Sequence, residues 1–273
     1  MTGAKALRGK TTAFLAIAAP VLAGLAYMAA FGAPAHYLLV NGVALALAFL
    51  WIALGARPAS APVRRAIIAL FLALLFLPLA TGPYLNGIAR WLPLGPFILH
   101  AGSLLIPALV VLCVDEPDYT APILLAALLA ALLQPDAASG FALTFAAVGL
   151  HDRSRDWKTG LTAVVGFVAS LVMAVRGDLP PQPFVERVLV EAAGHHPAFA
   201  LVLFITLAAC FALILFTVSP ERRVRLSLAG SLFGFSIVAL MENYPSILIG
   251  YGAAPILGYG LALGLVNRRA QTA

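Results

Sequence analysis

Asp136 is the carboxylate best placed for chemistry in this chain. It stands in Gln134-Pro135-Asp136, between two apolar runs. A charged side chain at membrane depth is expensive and marks a functional candidate by default. An aspartate at a helix start also accepts backbone N–H bonds and complements the helix dipole, so capping and site membership are compatible. Arg90, beside Trp91, carries a planar, doubly donating guanidinium that suits a pyrophosphate. Next to an aromatic residue it equally suits a headgroup anchor in an aromatic belt. Glu242 precedes Asn243-Tyr244-Pro245 and is either an interfacial helix-end carboxylate or a partner of Asp136 and Arg90. His100 lies within an apolar run and reads as a satisfied polar group. His195-His196 hints at metal, but no clustered cysteine or acidic partner completes a ligand set. No metal and no cofactor is therefore expected, and no zinc motif, nucleophile elbow or phosphate-cradling loop occurs.

The elements that must position these residues are membrane helices. Of 273 residues, 62% are hydrophobic and 10% charged, against roughly 45–50% and about 25% in soluble domains. The fold class expected is all-α: a polytopic integral membrane protein, one transmembrane domain over 1–273. The net charge of +6 sits in short clusters between apolar runs, the pattern of loops at a membrane surface rather than of a nucleic-acid partner. The stretch 121–150 is long for one helix, and Pro135 removes a helix hydrogen bond and clashes with the preceding turn. Two helices there make ten transmembrane helices in all. With both termini cytoplasmic, fourteen of the seventeen basic residues then fall inside, leaving Arg90, Arg176 and Arg187 outside. A single helix would put only eight inside. The first apolar run exceeds the core of a cleaved signal peptide. Cys113 and Cys210 lie within apolar runs and read as buried small hydrophobes.

Residues 176–197 form the longest external loop. Within it Phe184, Val185, Val188, Leu189 and Ala192 follow helical spacing, which predicts a short amphipathic helix over Phe184–Ala193 at the interface, with Arg187 and Glu191 as an i,i+4 pair. Gly260 and Gly264 predict close helix packing.

Three segments resemble the SEDS family (shape, elongation, division and sporulation). Ala89-Arg90-Trp91-Leu92-Pro93-Leu94-Gly95-Pro96-Phe97 resembles its "ARRWLxLGPF". Gln134-Pro135-Asp136-Ala137-Ala138-Ser139 resembles its "QPDxGT". Ile249-Gly250-Tyr251-Gly252, running on to Ala262-Leu263-Gly264-Leu265, resembles its "ISYGG…ALGL", and Pro245 also falls on a family proline. The motifs come in family order, and the family also has ten helices with both ends inside. The match covers most of the second half of the chain and little of the first three helices.

The resemblance implies a peptidoglycan glycosyltransferase that polymerises lipid II at the outer membrane face beside a class B penicillin-binding protein. An external aspartate acts there as general base on the acceptor hydroxyl, and undecaprenyl pyrophosphate leaves. It implies substrate-binding roles for Arg90, Trp91, Gln134, Asp136, Glu242 and Tyr251, in a polar cavity open to the outside. Two departures matter. His100-Ala101-Gly102-Ser103 replaces the family's "QPSE", and the best ungapped match puts Pro183 where the base should be. Glu186 or Asp178 is then the substitute base, in a loop shorter than the family's. Other classes stay open: a non-catalytic scaffold or lipid-binding subunit of a larger membrane complex, or a small-molecule transporter, though no inverted repeat supports the last. The expected setting is the bacterial cytoplasmic membrane, with membrane lipids, a polyprenyl-linked glycan and another membrane subunit as partners.

Overall fold

The computed structural model describes residues 2–266, apart from 96 and 178. In chain order the elements are α1 (Thr2–Ala30), α2 (Ala35–Leu54), α3 (Ala61–Phe76), α4 (Pro78–Thr81), β1 (Trp91–Leu94), β2 (Phe97–His100), α5 (Ala101–Cys113), α6 (Thr120–Leu133) and α7 (Ala137–Ser154). They continue with α8 (Trp157–Arg176), α9 (Val188–His195), α10 (Pro197–Phe216), α11 (Arg222–Met241) and α12 (Ala253–Leu265). Six helices, those of α1, α2, α3 with α4, α8, α10 and α11, are long and apolar enough to cross a membrane. Helices α5, α6 and α12 are apolar but shorter. The chain is a multi-pass helical membrane protein.

Burial separates the helices into two kinds. Every residue of α5 except Leu104 is buried, whereas α10 buries only Leu203, Cys210 and Ile214. An apolar helix exposed on nearly all sides is stable where lipid is the solvent. The core gathers α5, α7, α11 and α12. Close approach of α12 to α2 depends on glycine: a Cβ on Gly260 would lie 2.4 Å from that of Ala48, and one on Gly264 2.4 Å from the Trp51 ring. That is the small-residue crossing read from the sequence.

The 121–150 stretch is broken at Gln134-Pro135-Asp136, giving α6 and α7. Two other local readings need correction. The apolar run from Phe97 does not start as a helix. Its first four residues pair with Trp91–Leu94 as an antiparallel hairpin, with Trp91 opposite His100. Gly95 supplies a positive φ of 61° at the turn, and Pro93, lacking an N–H, tolerates a two-stranded ribbon. The short helix expected over Phe184–Ala193 begins at Val188 rather than Phe184. Residues 184–187 are held in an irregular path, with Phe184 and Arg187 at positive φ and Glu186 bridged to Pro245.

Loops alternate between two ends. The basic-rich end is tied by buried ion pairs. Arg57, 1% exposed, reaches Asp115 at 3.2 Å and Glu221 at 3.3 Å, and donates to the carbonyls of Leu265 and Val266. Glu116 accepts from both Arg64 and Arg65. These contacts bind the loops after α2, α5 and α10 to the end of α12.

Candidate functional site

The opposite end brings Arg90, His100, the 134–136 turn, Gly177 and Tyr244 together. The hairpin register does part of this: Ala101 N–H donates to Arg90 O at 3.0 Å, so Arg90 and His100 flank the same edge. His100 is the N-cap of α5, its Nδ1 accepting from Ser103 N–H at 3.1 Å. A ring nitrogen that accepts carries no proton, so in the neutral imidazole the proton is on Nε2. Nε2 lies 3.2 Å from Asp136 Oδ2, at ion-pair distance but off the line of a hydrogen bond.

Asp136 caps α7. Its Oδ1 accepts from Ser139 N–H at 3.2 Å, and its Oδ2 accepts from the Ser139 hydroxyl. The helix start leaves N–H groups without partners and carries partial positive charge, which favours the carboxylate. Helix α5 comes in so tightly that a Cβ on Gly102 would lie 1.7 Å from Ser139 Oγ. Tyr244 clamps the turn from the other side, accepting from Ala137 N–H at 3.0 Å and donating to Pro135 O at 3.2 Å.

Arg90 closes the group. Its guanidinium stacks 4.6 Å from the Tyr244 ring centroid and 5.2 Å from that of Trp91. Nη2 donates to Gly177 O at 3.0 Å, while the buried Nη1 meets no hydrogen-bond acceptor among the described residues. Its charge acts on Asp136, Glu186 and Tyr244.

Glu186 sits half-buried above. Its Oε2 accepts from Gln182 N–H at 2.7 Å. Burial pushes its carboxyl above the ordinary glutamate range, against the pull of that hydrogen bond and of Arg90. Val185 O accepts from Ser246 N–H at 2.8 Å and Phe184 O from Tyr251 N–H at 2.7 Å, so this stretch is stitched onto the 244–252 segment. Asp178 lies outside the described residues.

The other sequence candidates fall elsewhere. Gln134 Nε2 donates to Leu75 O, tying α6 to α3. The Tyr251 ring stacks on Tyr37 at 3.6 Å. Glu242 is half-buried, and among the described residues no hydrogen bond or ion pair joins it to Arg90 or Asp136; Tyr244, two residues on, takes that place. Glu191 turns from Arg187 to Phe184 N–H, 3.0 Å, and to His195, 4.0 Å. Among the described residues no group of histidines, cysteines and carboxylates could hold a metal ion. Arg90 and Asp136 are buried, 3% and 1% exposed, and the segment after α8 offers Gly177 O to Arg90. Sequence reading missed His100 and Tyr244 as members. His100 did stand where a family motif changes, and Tyr244 stood between two residues already singled out.

Comparison with solved structures gives the fold. The chain is similar to the rod shape determining protein RodA of Thermus thermophilus, with 20% identity, a TM-score of 0.60 and 94% of each chain covered. It is similar to a chain of a peptidoglycan synthase complex that coordinates polymerization and crosslinking, with 20% identity, TM-score 0.61, and 93% and 96% covered. A mutant of the same RodA matches at 21% identity and TM-score 0.59, with 94% and 95% covered. No family model and no curated protein sequence matches. The chain has the RodA fold.

Proposed function

We propose that this RodA-fold chain is a SEDS-like protein of the bacterial cytoplasmic membrane that holds a polyprenyl-linked glycan at the outer face during cell-envelope synthesis. The observation that carries this reading is Arg90: buried, sandwiched by Tyr244 and Trp91, beside Asp136, and with one donor that meets no acceptor among the described residues. A pyrophosphate is the acceptor whose geometry and charge best complete such a guanidinium. Asp136, His100 and Tyr244 fix the turn against which Arg90 packs. The whole chain forms one transmembrane domain of ten helices. Both termini face the cytoplasm, and residues 176–197 lie outside, as the charge count favours.

Glycosyl transfer is the sharper form of the proposal. A base takes the proton from an acceptor hydroxyl, whose oxygen attacks the donor's anomeric carbon, and the polyprenyl pyrophosphate departs with its charge met by Arg90. Glu186 suits the base, because burial moves its carboxyl toward the pH at which it works; Asp178 is the alternative. A second reading, a non-catalytic lipid-binding or scaffold subunit, is favoured by Pro183 at the family's base position and by the burial of Arg90 and Asp136. That burial also suits a membrane partner, such as a penicillin-binding protein, that exposes them.

The test is a time course with labelled lipid II on the isolated protein and on Glu186→Gln and Asp178→Asn. General-base help is worth about 10²–10⁴-fold and Pro183 at the family's base position offers no proton acceptor, so the isolated protein is expected to build no glycan at a rate typical of the family. Robust chains would refute the idle reading, their loss in one variant alone would identify the substitute base, and equal activity in both would remove both candidates. Orientation has its own check: cysteines replacing Ser154 and Arg223 should label only from the cytoplasm, and one replacing Gln182 only from outside. External labelling at 154 would overturn the ten-helix topology.

A further inference from the structure

The basic-rich end carries a cavity that none of the above uses. It measures about 320 Å³, lies between the loop after α5 and the starts of α8 and α11, and is lined by Asp118, Ser154, Asp156, Lys158, Thr159 and Arg223 among others. Asp156 is committed elsewhere. Its carboxylate caps α8, accepting from the N–H groups of Lys158 and Thr159 and from the Thr159 hydroxyl. Lys158 and Arg223 make no ion pair or side-chain hydrogen bond among the described residues, although the neighbouring Arg222 pairs with Asp152 at 3.0 Å. Asp118 is exposed at the rim and is likewise without an ion pair among the described residues. Charges of both signs therefore line one space, Lys158 within the field of Asp156 and Asp118 within that of Arg65, while Lys158, Arg223 and Asp118 make no short ion pair among the described residues.

The depth of this cavity is fixed by its flanks. Trp157, at the start of α8, is 67% exposed, and Tyr119, just before α6, 48% exposed. Leu161, one turn further along α8, is 51% exposed. Aromatic residues followed by exposed aliphatics mark the passage from headgroups to hydrocarbon. The mouth thus opens where lipid headgroups lie. We infer that this cavity binds a zwitterionic phospholipid headgroup, its phosphate on Lys158 and Arg223 and its ammonium on Asp118. A purely anionic headgroup would meet the carboxylates of this mixed lining without a cation of its own, and a neutral one would give Lys158 and Arg223 no charged acceptor.

The experiment is lipid titration of the full chain in detergent by native mass spectrometry. The probes are dioleoyl phosphatidylethanolamine, dioleoyl phosphatidylglycerol, dioleoylglycerol and water-soluble glycerophosphoethanolamine. The unchanged protein should hold the ethanolamine lipid at least about threefold better than the glycerol lipid, and dioleoylglycerol least of all. Lys158→Gln with Arg223→Gln should weaken the ethanolamine lipid about tenfold, since charge-assisted bonds are lost. Asp118→Asn should remove the preference between the two phospholipids while both still bind. This exposed single change decides the matter even should the double variant fail to fold. Arg222→Gln should behave as the unchanged protein. Equal retention of both phospholipids by the unchanged protein, or undiminished binding by a folded double variant, would overturn the assignment. Glycerophosphoethanolamine binding as tightly as the lipid would overturn the lipid source in favour of a soluble ligand.

Discussion

Arg57 and Arg90 are arginines withdrawn from solvent at opposite ends of one bundle, and their surroundings differ in kind. Arg57 spends its donors on two carboxylates and two helix-end carbonyls. Arg90 has one carbonyl, two aromatic faces and the nearby charge of Asp136, and one of its donors meets no acceptor among the described residues. Both arginines have left water, and Arg57 is the more fully paired of the two. A fully answered charge is a clasp between loops. On the proposed function the two ends divide structural and binding work, and that division can be tested by the same kind of substitution at each.

The largest effect on folding is expected at the clasp. Arg57→Met removes the shared cation of Asp115 and Glu221. Those carboxylates are 17% and 27% exposed, so water softens the loss to about 2–3 kcal/mol, below the 3–5 of a fully buried pair. A melting curve in detergent should show a drop of several degrees. An unchanged midpoint would break the comparison at its structural half.

A middle-sized effect is expected where α5 meets Asp136. Gly102→Ala forces a methyl into the Ser139 hydroxyl, and overpacking of that kind costs about 1–3 kcal/mol. Its melting loss should come with displacement of the Asp136 cap. A neutral result would mean that the turn has slack and does not hold the site rigidly.

The smallest effect is in pH dependence, and it has opposite signs at the two ends. Glu186 is raised by burial, so the fold favours its neutral acid. Its stability contribution is intact below the unfolded value of about 4.3 and is lost as pH rises through the raised folded value. Asp156 is lowered, first by the Thr159 hydroxyl and then by the α8 N–H groups. Its contribution is present above the unfolded aspartate value and is lost as pH falls through the lowered one. Glu186→Gln should flatten the first slope, by about 1–2 °C in midpoint, and Asp156→Asn the second. Slopes of equal sign would contradict the electrostatics described for one of the two.

Much of the fold was legible because membrane solvation writes itself into composition. Apolar runs, Pro135 between α6 and α7, and Gly260 with Gly264 against α2 all follow from local rules. What stayed hidden was nonlocal. Nothing in the apolar run from Phe97 announces that four residues will turn back on Trp91–Leu94 and so carry His100 to Asp136. The periodicity of 184–193 is genuinely helical, yet pairing with the 245 region overrides its first turn. The basic loop residues were counted by sign for orientation, whereas Arg57, Arg64 and Arg65 are bound to Asp115, Glu116 and Glu221. Within the site, Arg90 and Asp136 stood out by type, but Tyr244 was overshadowed by the charge of Glu242. Arg90 is held by a backbone carbonyl, that of Gly177, which no side-chain pattern encodes.

The most direct test of the account is one substitution read in two ways. Arg90→Met should be measured for binding of a polyprenyl pyrophosphate-linked glycan and for thermal midpoint in the same preparation. Methionine gives up the Gly177 bond, the two aromatic contacts and the cation beside buried Asp136, so the midpoint should fall, and binding is read on the folded fraction well below it. Loss of the charged, bidentate donor should weaken binding by at least about tenfold. Unchanged affinity in folded Arg90→Met would contradict the assignment of Arg90 as the ligand-holding residue, and with it the division of labour between the two ends.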